Sequence, residues 1–249
     1  MTLPPDTAIA SAMERARMLA LSGPPGGGNP QVGCVLLDSN GQIRAEGWHR
    51  GSGTPHAEVI ALEALEASGA TAAGLTAVVT LEPCAHTGKT PPCAKALVES
   101  GVSHVVFSAH DPGGESGGGG RVLADAGIDV HGGFEEPEGM ALIEKWLAAQ
   151  KTGRPWVTVK WAMSLDGRAA AADGTSQWIT SPTTRAQVHR DRASHGAIAV
   201  GSQTMLVDNP TLTARHDDGT LMDHQPHAVV VGSADIPAGF HVESHPAGL

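Results

Sequence analysis

Along the first 150 residues, segments with hydrophobic residues at helical spacing alternate with short segments whose pattern is typical of strands. Residues 6–21 repeat apolar side chains at helical spacing, whereas residues 32–37 form a continuous apolar run typical of a buried strand. The same signals predict further strands at 43–48, 77–81, 102–109 and 128–130, and further helices at 59–65, 94–100, 121–126 and 137–150. Strands that alternate with helices predict a parallel or mixed sheet with helices on both faces.

The pattern changes at residues 153–155, Gly-Arg-Pro, where we place a boundary between domains 1–152 and 153–249. The second domain continues as α/β, with strands predicted at 156–162, 197–201 and 228–231 and a helix at 183–193. It contains no Gly-x-Gly-x-x-Gly nucleotide motif. Glycine-rich stretches at 26–28 and 113–120 predict loops in the first domain.

Composition narrows the classes of function. The chain has 249 residues, of which 41% are hydrophobic, enough to form a core. Its net charge is −10, with 16 basic against 26 acidic residues, which disfavours nucleic acid as a partner and favours a small molecule. The N-terminus lacks a leader pattern and no apolar run approaches 18 residues, so we expect no membrane contact and a cytoplasmic location.

Candidate metal ligands concentrate in residues 54–93. His56, Cys84 and Cys93 offer one imidazole and two thiols, a set that holds Zn²⁺ tetrahedrally and leaves the fourth position for water. Glu58 lies close enough to His56 to move protons between such a water and a substrate nitrogen. His-x-Glu followed by Pro-Cys and a second Cys is a zinc-deaminase signature, with the Glu as general acid/base. The sequence therefore predicts Glu58 as the catalytic residue of a zinc hydrolase.

Two structural expectations accompany this site. We expect one helix to begin near His56 and another at Cys84, so that the positive ends of both helices point towards the ligands. Cys34 lies inside an apolar strand and is interpreted as a core thiol, with replacement of a metal ligand as the alternative. An odd number of cysteines around a metal motif argues against a disulfide framework and for a reducing compartment.

Three motifs carry a resemblance to a known family. LEPCAHTGKTPPC at 81–93, HAEVIAL at 56–62 and NPQVGCVLL at 29–37 resemble the deaminase domain of the bifunctional riboflavin-biosynthesis deaminase-reductase. The resemblance implies a cytidine-deaminase-like three-layer α/β/α domain. It also implies hydrolytic deamination of 2,5-diamino-6-ribosylamino-4(3H)-pyrimidinone 5′-phosphate. The substrate-binding residues that it implies are Asn29, His49, His86 and Lys89.

Motifs in the second domain resemble the reductase of the same family. They are KWAMSLDGR at 160–168, SQWIT at 176–180 and VGSQTMLVDNPTLTAR at 200–215, and they imply a dihydrofolate-reductase-like α/β fold that uses NADPH. The implied cofactor contacts are Ala162, Trp178, Thr204 and Asp208, and the implied substrate contacts are Ser176, Leu212 and Arg215. The family's reductase continues past residues 228–231, so we expect only the N-terminal part of that domain here. An unfinished sheet edge favours a homo-oligomer.

Two other interpretations stay open at this point. One is a deaminase of another small purine or pyrimidine, such as guanine or cytidine. The polar insert at 85–92 argues against it, because cytidine and adenosine deaminases space their cysteines as Cys-x-x-Cys. The other is a non-catalytic zinc module, which normally carries four protein ligands.

Overall fold

The structure is a computed structural model that describes residues 2–24, 28–113 and 116–248. The glycine-rich loops predicted at 26–28 and 113–120 fall partly outside these residues. The chain divides into two compact units, Met1–Pro155 and Trp156–Leu249. Among the described helices, none has the length and apolar character needed to cross a membrane.

A mixed five-stranded sheet forms the centre of the first unit, in the order β2-β1-β3-β4-β5. Strand β1 pairs antiparallel with β2 and β3, whereas β3, β4 and β5 are parallel. The central strands are buried along their whole length, which explains their continuous apolar runs. The strands are β1 Gly33–Leu37, β2 Ile43–Trp48, β3 Thr76–Leu81, β4 His104–Ala109 and β5 Asp129–Gly132.

Helices cover both faces of this sheet, as predicted. They are α1 Asp6–Ala20, α2 Ala57–Ala67, α3 Cys93–Ser100, α4 Gly119–Asp125 and α5 Glu136–Thr152. Helix α1 buries Met13 against the face that carries Val78, and α5 follows on the same side, where Gly139 packs against Ser108. Helices α2, α3 and α4 pack on the opposite face around Phe107. The unit is therefore a three-layer α/β/α domain.

The parallel strands β3 and β4 bring two loops to the same edge of the sheet. The Glu82 N–H donates to Ala109 O at 2.8 Å, directly after both strands end. Helix α2 begins beside this edge because Gly47 of β2 lets it approach closely. A Cβ on Gly47 would overlap the carbonyl oxygen of Ala57. Residues from α2 and from both loops therefore converge at one place.

The helix predicted to begin at Cys84 is wrong. Residues 83–92 form a loop, and α3 begins at Cys93 with Pro92 as its N-cap residue. Pro91 and Pro92 lack the N–H donors of a helix interior, and each disfavours helical dihedrals in the residue before it. Only Cys93 therefore lies at the positive end of a helix within this motif.

The second unit contains a parallel pair of strands and two helices. They are α6 Pro182–Ala193, β6 Ala197–Gly201, α7 Ser202–Asp208 and β7 His227–Val231, followed by a 3₁₀ helix at His241–Ser244. Met205, Leu212, Ala228 and Val242 form its core. The strand predicted at 156–162 is wrong, because no described strand pairs with this segment and most of its apolar side chains are exposed. The short helix α7 was not predicted.

Candidate metal and substrate site

His56, Cys84 and Cys93 bring their ligand atoms within 4.8 Å of one another. His56 Nδ1 lies 3.1 Å from Cys93 Sγ and 3.6 Å from Cys84 Sγ. Zinc bonds of about 2.0–2.3 Å place tetrahedral ligand atoms about 3.5–3.8 Å apart. The His56–Cys84 distance matches this spacing and the His56–Cys93 distance is shorter, so a small movement of Cys93 lets the three side chains hold zinc. The described residues offer no fourth His, Cys, Asp or Glu to this cluster.

Ends of regular elements hold these three residues in place. His56 is the N-cap residue of α2, Cys84 follows shortly after β3, and Cys93 is the first residue of α3. The Cys93 N–H donates to Cys84 Sγ at 3.3 Å, and the Ala94 N–H donates to Cys84 O at 3.1 Å. Side chains fixed by rigid elements keep metal geometry better than side chains on free loops. Cys34 lies elsewhere, buried in the core on β1, and all three cysteines are free thiols.

The protonation of the cluster also suits a cation. A hydrogen bond with Cys93 lowers the pKa of the Cys84 thiol well below its ordinary value, helped by His56 and opposed by burial. The hydrogen bond with Cys84 in turn raises the pKa of His56. A divalent cation can bind this thiolate and displace the protons held by the neighbouring groups, because metal binding releases protons.

Glu58 places a buried carboxylate beside this cluster. It lies in the first turn of α2 and is only 3% exposed. Its Oε2 atom is buried without a hydrogen-bond partner in the part of the chain that the structure describes. Burial raises the pKa of this carboxyl group. An unsatisfied buried oxygen is costly, so Glu58 is suited to a ligand that brings a proton to it.

A cavity of about 470 Å³ opens onto these groups, and the four predicted substrate-binding residues all line it. Asn29 Nδ2 donates to His49 Nε2 at 3.1 Å, while His49 Nδ1 donates to Pro55 O at 3.2 Å. Burial lowers the pKa of His49, which favours the neutral ring that this pattern requires. His86 and Lys89 lie at the exposed rim, where Lys89 Nζ donates to Ser52 Oγ at 2.9 Å. The structure thus gathers Asn29, His49, His86 and Lys89 around one cavity.

Several residues of this cavity were not predicted from the sequence. Glu82, Asp111, Ser116 and Trp146 all line it. Glu82 belongs to the quoted cysteine motif, so its position beside Cys84 was a usable signal. Trp146 gave none, because it lies far along the chain on α5.

The second unit does not gather its predicted residues in the same way. A cavity of about 920 Å³ is lined by Ser176 and Trp178, but by none of the other five. Ala162 lies outside the regular elements, Thr204 and Asp208 are exposed on α7, and Leu212 is buried in the core with φ 56°. The Arg215 guanidinium donates to Thr213 Oγ1 and Gly219 O, each at 2.9 Å.

Comparison with known proteins matches the two units to different families. The family described as the cytidine and deoxycytidylate deaminase zinc-binding region matches residues 7–109. The RibD C-terminal domain matches residues 155–242. The predicted fold of both domains is confirmed by these matches and by the solved structures of similar chains.

Similar proteins cover most of the chain. The riboflavin biosynthesis protein RibD of Mycobacterium tuberculosis is 50% identical over 209 residues, which are 84% of this chain. This chain spans 61% of the length of that relative. RibD of Corynebacterium ammoniagenes is 48% identical over 93% of this chain and 69% of its own length.

Solved structures give the same result. The crystal structure of a diaminohydroxyphosphoribosylaminopyrimidine deaminase/5-amino-6-(5-phosphoribosylamino)uracil reductase from Thermotoga maritima is 38% identical, with a TM-score of 0.85. The match covers 97% of this chain and 68% of that one. Acinetobacter baumannii RibD is 39% identical, with a TM-score of 0.81 over 96% of this chain and 68% of its own. The chain belongs to the RibD family of riboflavin biosynthesis proteins.

Proposed function

We propose that residues 1–152 form a zinc-dependent deaminase that acts on 2,5-diamino-6-ribosylamino-4(3H)-pyrimidinone 5′-phosphate. The product is the corresponding aminouracil, with release of ammonia. One observation carries the proposal: His56, Cys84 and the buried carboxylate of Glu58 line the same cavity, and Cys93 completes the donor set with His56 and Cys84. Membership of the RibD family supports this substrate, because the Thermotoga protein is named as a deaminase of that class.

The three ligands and Glu58 have separate roles in this reaction. His56, Cys84 and Cys93 hold zinc, which, when bound, lowers the pKa of water to about 7 and makes hydroxide available near neutral pH. Glu58 accepts a proton from the attacking water and passes it to the departing amino group, so that ammonia leaves. Its raised pKa suits this exchange, because a general acid/base works best when its pKa approaches the working pH.

The remaining residues of the cavity recognise the substrate. The Asn29 amide and the His49 ring present polar groups for the edge of the pyrimidine. Lys89 is the only Lys or Arg among the described lining residues, and we assign it to the phosphate. Its present partner, the Ser52 hydroxyl, is neutral, so a phosphate dianion would compete well for Nζ. His86 lies beside it at the rim.

Glu58→Gln tests the central role directly. Glutamine keeps the shape of the side chain but cannot accept the proton, so ammonia release should fall about 10²- to 10⁴-fold. Zinc content, measured by atomic emission, should stay at one ion per chain. Glu63→Gln, an exposed residue on the same helix α2, is the matched control and should keep full activity. Near-normal ammonia release from the Glu58 variant would contradict the assignment.

A substrate panel separates this proposal from its nearest rival. Guanine and cytidine are deaminated by related chemistry, and either would compete if the cavity did not require the ribose phosphate. We expect ammonia from the diaminopyrimidine phosphate and none from guanine or cytidine. Ammonia from guanine or cytidine, and none from the diaminopyrimidine phosphate, would contradict the proposed substrate but not the proposed zinc-dependent deamination.

We further propose that residues 153–249 form the N-terminal part of an NADPH-dependent reductase. The match of residues 155–242 to the RibD C-terminal domain supports this assignment. The cavity lined by Ser176 and Trp178 is the candidate site. NADPH oxidation on addition of the deaminated product tests whether this chain carries out the second step. A homo-oligomeric state and a cytoplasmic location stay predictions from the sequence.

A further inference from the structure

Trp146 forms part of the cavity wall although it lies outside both ranges of residues matched to families, 7–109 and 155–242. It lies on α5, one turn after the buried Ile143. Its half-buried ring packs against the cluster of Leu81, Ala109 and Ile143. The core therefore supports the ring from behind while part of it borders the cavity.

Apolar residues line part of the cavity, and among them Trp146 packs in one cluster with Val32 and Leu81. No other Trp or Phe occurs among the described lining residues. A pyrimidine is flat, so its edges need hydrogen bonds and its faces need apolar or aromatic cover. Bases gain binding energy by stacking on aromatic side chains. Trp146 is the side chain placed to supply such a face.

The indole also fixes a second part of the cavity. Trp146 Nε1 donates to Gly28 O at 3.2 Å, a contact between residues 118 positions apart. Gly28 directly precedes Asn29, whose amide donates to the ring of His49. A half-buried indole N–H normally requires an acceptor, and here the acceptor is the segment that carries a substrate-binding residue. One side chain thus connects the apolar cluster to the segment that carries Asn29.

We propose that Trp146 binds the pyrimidine of the substrate through its ring and positions Asn29 through its N–H. The inference rests on the proposed deaminase function and extends its binding site to α5. Two substitutions separate the contribution of the ring from that of the N–H. Phenylalanine at this position keeps an aromatic face but has no N–H, whereas alanine has neither.

Steady-state ammonia release measures both contributions. For Trp146→Phe we expect KM to rise about three- to tenfold, the loss expected for one hydrogen bond. For Trp146→Ala we expect KM to rise about 10- to 100-fold. In both variants kcat should change less than about threefold and zinc content should stay unchanged, because lost binding that is equal in ground and transition states raises only KM. Trp156→Phe, an exposed tryptophan of the second unit, is the matched control with unchanged KM.

Binding without turnover provides a second measurement. In the Glu58→Gln background, the affinity for the diaminopyrimidine phosphate should fall by the same factors when Trp146 is changed. If both Trp146 variants keep the KM of Trp156→Phe, or lose kcat at unchanged KM, this inference is overturned and the deaminase stands. If the unsubstituted protein releases no ammonia and Glu58→Gln does not bind the diaminopyrimidine phosphate, both the proposed function and this inference are contradicted. Should Trp146→Ala not fold, the KM of Trp146→Phe decides.

Discussion

The carboxylate of Glu82 joins the loop after β3 to the loop after β4 and to the start of α4. Its Oε1 accepts the Gly120 N–H at 3.0 Å, and its Oε2 accepts the Asp111 N–H at 3.2 Å. The side chain is 8% exposed, so these bonds are shielded from water. Glu82 therefore connects the segment that carries Cys84 to a loop that lines the cavity.

Replacing Glu82 should affect stability and substrate binding more than metal binding. Hydrogen bonds to charged groups contribute about 1.5–3 kcal/mol each. We expect Glu82→Gln, which keeps one acceptor, to lower the free energy of unfolding by about 2 kcal/mol and to raise KM, with zinc retained. Urea denaturation and ammonia release measure the two effects. Glu99→Gln on α3, an exposed residue, is the control, and equal behaviour of the two variants would contradict the role of Glu82.

The sequence predicted the cluster of His56, Cys84 and Cys93 but not the whole cavity. The spacing of His56, Glu58, Cys84 and Cys93 is informative because these residue types in this order match the zinc-deaminase signature. Trp146 belongs to no local pattern, and its contact with Gly28 exists only after the sheet has formed. Residues that reach a site through long-range packing therefore need the structure.

Among the elements, the start of β4 contains a buried histidine with few partners. His104 is 5% exposed, and its Nδ1 has no hydrogen-bond partner among the described residues. Its Nε2 lies 3.9 Å from Asp129 Oδ2 on β5, and His131 Nε2 lies 3.2 Å from the same oxygen. Burial lowers the pKa of His104, and the charge of Asp129 opposes this only in part.

This shift makes stability depend on pH. Above the ordinary pKa of about 6.5, His104 is neutral in both the folded and the unfolded chain. As the pH falls below that value, the unfolded chain takes up the proton first, so the folded state loses stability until the lower folded pKa is passed. We expect His104→Gln to show a smaller loss of unfolding free energy between pH 7.5 and 5.5. An equal loss in both proteins would exclude this origin.

The sequence predicted an element correctly where that element's own pattern determines its structure. The prediction failed where a neighbouring element or residue determines it. Strands β1, β3 and β4 are buried throughout, so their apolar runs could be recognised alone. Residues 156–162 alternate correctly for a strand, but a strand also needs a pairing partner, and the described residues provide none. The helix predicted from Cys84 begins only at Cys93, because Pro91 and Pro92 disfavour helical dihedrals in the residues before them.

For the whole molecule, the described candidate metal ligands all belong to the first of two compact units. A ligand that binds only the folded state stabilises it by about 2.7 kcal/mol at 100 times its Kd. Zinc removal should therefore lower the melting temperature of the first unit and leave that of the second unchanged. Calorimetry with and without a chelator measures this, and Glu58→Gln, which keeps every ligand, should show the same shift. An equal fall of both transitions would contradict a zinc site whose effect on stability is confined to the first unit.

The loop at 85–92 is closed at its base, because Cys93 and Ala94 both donate backbone N–H groups to Cys84. The length and composition of this loop can therefore change without changing the distance between the thiols of Cys84 and Cys93. Loop exchange between relatives could then alter which substituents on a ring are accepted without rebuilding the catalytic centre. Such an arrangement would let one scaffold diversify through its rim.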